Sequence, residues 1–262
     1  MNLISNEWRK YFHRFGISIL IPALQLITII GYYVIIRLAI DKRFYDEEAI
    51  YQLSTTFVTQ FVIFLGLIYA SVTLTQELTS GTIKFLLTRP YSRNKLLSAK
   101  LAANTILMTV FALCSNVLNF IVQFIIFGTA PDVKSSLIAI GFSVLKVFIT
   151  TTFLGSLAIL ISVITNNSAI STALTIIYYI SAPAIWAFIN VNFLKLSPKN
   201  TINNLNPLSI NQYFGVLLNN YEQSHNLGEY FWISLIGNLL YAAIFYFIAD
   251  VIFSRKDISL SD

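Results

Sequence analysis

LIAIGFSVLKVFITTTFLGSLAILISVI, residues 137–164, is a run of 28 residues with one charge, Lys146. A transmembrane helix needs about 20 mostly apolar residues. Outward from this stretch the same kind of run recurs at 17–39, 57–75, 101–127, 169–190 and 231–252. Lipid offers nothing to pair an open backbone, so each run is expected to be helical. The alternating ten-residue strands of a membrane β-barrel are absent. The expected fold class is an all-α membrane protein with six transmembrane helices, one transmembrane domain over residues 1–262.

Composition agrees. Of 262 residues, 56% are hydrophobic and 11% charged, and the mean hydropathy is +0.71. The charged share is less than half of the usual quarter. A soluble core of this size could not enclose so much apolar surface, so the bilayer is part of the solvent. The single cysteine, Cys114, excludes an intrachain disulfide and is expected to be a small buried hydrophobe. The first run, from near Gly16, is about 23 residues long and reads as a span, not as a cleavable leader.

Lys and Arg collect on the cytoplasmic side. With the N-terminus inside, ten cations fall inside: Arg9, Lys10, Arg14, Lys84, Arg89, Arg93, Lys95, Lys100, Arg255 and Lys256. Five fall outside: Lys42, Arg43, Lys134, Lys195 and Lys199. The split favours both termini in the cytoplasm, with the acidic cluster Asp46, Glu47 and Glu48 outside.

Residues 1–16 are amphipathic. Ile4, Trp8, Tyr11, Phe12 and Phe15 recur at helical spacing opposite Arg9, Lys10, His13 and Arg14. Such a helix lies in the headgroup plane as an interfacial elbow or a plain anchor. In the long outer loop, 191–230, Asn206-Pro207 is followed by Ser209, a helix cap, and by the stripe Ile210, Phe214, Leu217, Leu218 and Tyr221. That stripe predicts a short helix on the outer membrane face.

The connector 76–100, QELTSGTIKFLLTRPYSRNKLLSAK, holds five of the ten inside cations. Gly81 permits a bend. Ile83, Phe85, Leu86 and Leu87 are apolar where a solvated loop would be polar. Pro90 ends that piece and Ser92 can cap the next helix. A short amphipathic helix on the cytoplasmic surface is expected, with apolar residues that need a partner.

Glu77, Gly81-Thr82, Leu86-Leu87, Arg89-Pro90, Arg93 and Lys100 together resemble the pattern of ABC type-2 permeases, the membrane subunits of ABC exporters. Six spans, the N-terminal helix and the Asn206-Pro207-Leu208 element of the last outer loop extend that resemblance over the chain. Its size and the absence of a fused ATPase look most like bacterial permeases of bacitracin- and lantibiotic-resistance and peptide exporters. The resemblance implies a coupling helix within 76–100, seated on a separate ABC ATPase subunit present in two copies. It also implies a second permease chain, as a homodimer or related heterodimer, in the bacterial inner membrane. No cofactor is expected in this chain; ATP and Mg belong to the ATPase partner. The chain has no G-x-x-x-x-G-K-[ST] phosphate loop.

The residues singled out for coupling are Glu77, Gly81, Thr82, Leu86, Leu87, Arg89, Pro90, Arg93 and Lys95. The plain alternative for the cations is topology alone. Lys146 lies well inside its span, with Ser143 and Thr150 at i−3 and i+4. It either faces the pathway or snorkels to the interface. Thr105, Thr109, Asn116, Asn119 and Gln123 share one helix face, and Ser171, Thr172, Thr175 and Tyr178 another. These faces are expected to look into protein, as interhelical glue or as a cavity lining.

Other classes lack their parts. His13 and His225 are the two histidines, and neither H-E-x-x-H nor G-x-S-x-G occurs. The cations are not interleaved with a foldable soluble surface, so nucleic-acid binding is not supported. A stand-alone channel, scaffold or sensor component remains as the alternative to a permease.

Overall fold

The structure, a computed structural model, describes residues 3–13, 20–39, 46–79, 92–128, 132–195, 205–224 and 230–255. Among these residues there are eight α-helices and no strand. They are α1 Leu3–His13, α2 Ile21–Ala39, α3 Glu47–Thr79, α4 Arg93–Phe127, α5 Val133–Thr165, α6 Ser168–Ile189, α7 Ile210–Ser224 and α8 Phe231–Arg255. Six of them, α2 to α6 and α8, are long and apolar enough to cross a membrane. The outward faces are apolar, with Ile27, Ile35, Ile125, Phe188 and Phe247 all exposed. In lipid that is the low-energy arrangement. Cys114 lies on such an exposed face of α4, not in the interior as expected.

The helices outrun the apolar stretches because capping groups, not hydrophobicity, end them. α3 has 33 residues, about 50 Å at 1.5 Å per residue. It begins ten residues before the apolar run at 57. Asp46 caps it, its Oδ1 accepting from Ala49 N at 3.1 Å. Glu47 and Glu48 occupy its first turn, where negative charge complements the helix dipole. The acidic cluster expected in a loop is therefore a helix start. Asp132 does the same for α5, accepting from Ser135 N at 3.1 Å. Ser92 caps α4, with Lys95 N 3.4 Å from its hydroxyl. Asn167 caps α6 through Ala169 N and Ile170 N. Asn166, at φ 51°, makes the tight turn from α5 to α6, a backbone region that Asn tolerates. α6 carries Pro183 inside and continues as a π-helical turn, Asn190–Leu194.

The chain forms two compact units. The first comprises Met1–Phe64 and Ile106–Phe148, the second Leu65–Thr105 and Ile149–Asp262. Thus α3, α4 and α5 each contribute to both. The first unit has a core of Ile29, Tyr33, Ile50 and Val58, flanked by Val122, Ile126 and Phe127. The second has Leu74, Leu96, Leu97, Ile159, Val163, Ala249 and Phe253. Helix α7 belongs to the second unit. Its stripe of Ile210, Phe214, Leu217 and Leu218 is buried. Phe214 stacks on Phe231 of α8 at 5.7 Å between ring centroids. α7 is therefore held by protein contacts to α8.

Helix α1 is amphipathic, but its buried residues are Glu7 and Tyr11. Glu7 is ion-paired with Lys10 at 2.8 Å, one turn on. Trp8 and Ile4 are half-buried.

Candidate functional site

Gly81, Thr82, Leu86, Leu87, Arg89 and Pro90 lie outside the described residues. The two ends of their connector do not, and both are anchored within the second unit. At the α3 end, Glu77 is buried. Its carboxylate lies 2.8 Å from Lys100 Nζ of α4, and the two side chains are 11% and 1% exposed. Lys100 Nζ also lies 3.3 Å from the Thr73 carbonyl, one turn before Glu77. Two opposite charges in a dry site hold each other, since either one alone would be a buried uncompensated charge.

At the α4 end, Arg93 reaches the C-terminus of α8. Its Nη1 donates to the carbonyls of Phe253 at 2.9 Å and Ser254 at 3.0 Å. Those carbonyls belong to the last helical turn, whose acceptors lack intrahelical partners, and a cation there also meets the negative end of the dipole. The guanidinium lies 5.9 Å from the Phe253 ring centroid. Asn94 adds two links to α8. Its Nδ2 donates to Asp250 Oδ2 at 3.2 Å, and its Oδ1 accepts from Tyr246 at 2.5 Å. Lys95 points outward, exposed. Of the residues singled out for coupling, Glu77 and Arg93 thus fasten the connector to the helices, and Lys95 stays available at its base. Lys100, already among the residues that carry the family resemblance, is the partner of Glu77, a pairing that no spacing in the sequence indicates.

The polar face of α4 is buried, as its spacing predicted. In the first unit Asn119 is the hub. Its Oδ1 accepts from Ser54 at 2.5 Å and from Tyr33 at 3.1 Å, and its Nδ2 donates to Thr55 at 3.3 Å. Tyr33 Oη also lies 3.1 Å from Gln123 Oε1, and Gln123 Nε2 donates to the Glu47 carbonyl at 3.0 Å. Asn116 is buried and donates to Ala112 O within its own helix. Arg37 donates to the carbonyl of Ile126 near the end of α4. These bonds join α2, α3 and α4 laterally. Ser143 is buried and bonds Ile140 O of its own helix, and Lys146 is half-buried.

In the second unit Thr150 starts a relay of amides. Its hydroxyl donates to Asn211 Oδ1 at 3.3 Å, and Asn211 Nδ2 approaches Asn238 Oδ1 at 3.5 Å. Thr175 is buried and bonds Ser171 O; Thr172 is half-buried. Ser171 and Ser162 touch through their hydroxyls at 2.8 Å, joining α6 to α5. The Asn206-Pro207-Leu208 element is tied to the spans by two tyrosines. Tyr178 of α6 donates to Pro207 O at 2.5 Å, and Tyr241 of α8 to Leu205 O at 3.2 Å.

Among the described residues no three His, Cys, Asp or Glu side chains are placed to hold a metal. What the two units contain is a set of lateral fastenings between long helices, and those at the base of the connector join α3 to α4 and α4 to α8. A family model described as "ABC-2 family transporter protein" matches residues 3–182, which include α1 to α5, most of α6 and the whole connector. No curated protein matches the chain.

Proposed function

The chain belongs to the ABC-2 transporter family, and we propose that it is the permease subunit of an ABC exporter driven by a separate ATPase chain. It is a multi-pass membrane protein with six membrane-length helices. The observation that carries the mechanical reading is the anchoring of both ends of the connector. A segment pushed by an ATPase can move transmembrane helices only if it is stiffly attached to them. Glu77 with Lys100, and Arg93 with the end of α8, supply that attachment. The connector itself, with its apolar residues and Arg89, is the surface offered to the ATPase. Two permease chains and two ATPase chains make the working complex, and ATP and Mg are the ATPase's.

The cation split supports both termini on the cytoplasmic side of a bacterial cell membrane, and an even number of spans agrees with it. The exported molecule, in this reading, is an antimicrobial or toxic peptide or a drug. That class rests on the resemblance to bacitracin- and lantibiotic-resistance permeases.

The test is ATP hydrolysis by the ATPase reconstituted with this chain, comparing wild type with a chain whose residues 81–91 are replaced by a neutral Gly/Ser linker. Loss of permease-dependent stimulation, with insertion unchanged, is the expected result. Undiminished stimulation by the linker variant would overturn the connector's coupling role, and absence of any stimulation by wild type would favour a stand-alone membrane protein.

A further inference from the structure

A cleft of about 320 Å³ opens in the first unit between α2 and α3. Gln25, Ile29 and Tyr32 of α2 line it with Ser54, Val58 and Phe61 of α3. The depth of its two ends follows from their partners. Gln25 Oε1 accepts from the Ser115 hydroxyl at 3.0 Å, and Ser115 is one residue from the centre of the apolar run 101–127. Gln25 is therefore the deep end, near the bilayer midplane. Tyr32 donates to the carbonyl of Ile50 at 3.2 Å, seven residues ahead of the run that starts at 57. Tyr32 marks the end nearer the membrane surface. The rim is exposed and apolar, with Leu24, Ile27, Leu53 and Phe57 around the opening.

At the deep end one donor is unpaired. Gln25 is 3% exposed, and its Nε2 makes no hydrogen bond. A buried amide donor without an acceptor is costly, and more so in a medium without water. Lipid offers no acceptor at this depth, since its ester carbonyls stay at the edges of a core about 30 Å thick. An acceptor near the midplane is supplied by protein.

The complementary group stands on the same cleft. Thr28 is exposed, and its hydroxyl has given its hydrogen to the Gln25 carbonyl at 2.7 Å. Its oxygen therefore remains as an acceptor only. Gln25 and Thr28 are three residues apart, about 4.5 Å along the helix axis. Two copies of one chain inserted the same way are related by a two-fold axis along the membrane normal. That symmetry brings equal depths together and makes the contact isologous, so the donor of each copy meets the acceptor of the other. A face carrying one spare donor and one spare acceptor at the same depth is self-complementary in this sense. We propose that this face of α2 and α3 is the contact between two copies of the chain, with Gln25 Nε2 of each copy donating to Thr28 Oγ1 of the other. Leu24, Ile27, Leu53 and Phe57 pack around the pair of bonds and keep lipid out. The assignment rests on the reading that two permease chains work together, and it names the face they share.

The experiment uses the full chain in phosphatidylglycerol vesicles with no ATPase present. Association is read from energy transfer between donor- and acceptor-tagged copies over a series of lipid-to-protein ratios. Thr28→Val is expected to weaken association about eightfold, the loss of two symmetry-related contacts at the average worth of a polar contact between membrane helices. Gln25→Leu should weaken it equally, and the double variant no further, because each change removes the same two bonds. Should Gln25→Leu fail to insert, cross-linking joins Thr28→Val as the second test. In a Cys114→Ser background, Ile27→Cys is expected to form a disulfide between copies on copper-phenanthroline oxidation. Phe247→Cys, as exposed as Ile27 but in the second unit, is expected to form none. Unchanged association of Thr28→Val, or additive losses in the double variant, would overturn the assignment. A disulfide through Phe247 and none through Ile27 would overturn this face and leave two permease chains in place. A chain that is monomeric at every ratio would overturn the pairing of chains as well.

Discussion

Glu77 and Lys100 face each other at 2.8 Å across the base of a connector whose other end is held by Arg93. The pair is nearly dry, and that decides what mutation does. Removing one partner of a buried pair costs about 3–5 kcal/mol, while replacing both by neutral groups is often nearly neutral. Lys100→Met and Glu77→Gln singly should therefore lower thermal stability in detergent strongly. The double variant should recover much of the loss. Additive losses in the double-mutant cycle would show that the two charges do not act as a pair.

Arg93 closes the last turn of α8 through the Phe253 and Ser254 carbonyls. Arg93→Ala should cost about 1.5 kcal/mol, the low end of the range for charged hydrogen bonds. Arg93→Lys should keep part of this, since an ammonium can reach one carbonyl but cannot fork. Faster amide exchange at the C-terminal end of α8 in Arg93→Ala is the direct readout; unchanged exchange there would refute the capping role.

Asn119 satisfies Tyr33, Ser54 and Thr55 at once. Polar contacts between membrane helices are worth about 0.6 kcal/mol on average, with a maximum near 1.7. Asn119→Leu strands three partners and should cost about 2 kcal/mol. Tyr33→Phe removes one hydroxyl and should cost about 0.6 kcal/mol. Comparable losses for the two would mean that Asn119 is no hub.

Gly237 lies where α7 crosses α8. A Cβ there would stand 2.5 Å from Ile210 Cδ1, and Ile210 is fully buried. Gly237→Ala must push that side chain aside and should loosen α7, read as faster proteolysis between residues 205 and 230. Gly141 has nothing within 4 Å of the same position. Gly141→Ala should be neutral or stabilising by up to about 1 kcal/mol, the helix-propensity gain. The opposite ranking would contradict the packing of α7 on α8.

Much of the fold was legible because the bilayer imposes a length and a hydropathy on every crossing. The buried face of α4 was legible too, because Asn116, Asn119 and Gln123 repeat at helical spacing. What periodicity could not give was partnership. Glu77 and Lys100 are brought together only when α3 and α4 pack, and their shared place in a family pattern did not reveal that they pair. Tyr33, Ser54 and Thr55 are ordinary residues until Asn119 is set among them. The long starts of α3 and α5 were written in Asp46 and Asp132, but hydropathy ends where the lipid does and says nothing of the capped turns beyond.

The central claim is that the connector joins this chain to an ATPase, and co-purification tests it most directly. Tagged wild type and a variant lacking residues 81–91, which keeps Ser92 and Arg93, are extracted in mild detergent. Wild type is expected to bring down an ATP-binding protein of ATPase-subunit size in stoichiometric amount, and the deletion variant to come down without it while still inserted. Wild type that emerges alone in every detergent, or a deletion variant that retains the ATPase, would contradict the claim.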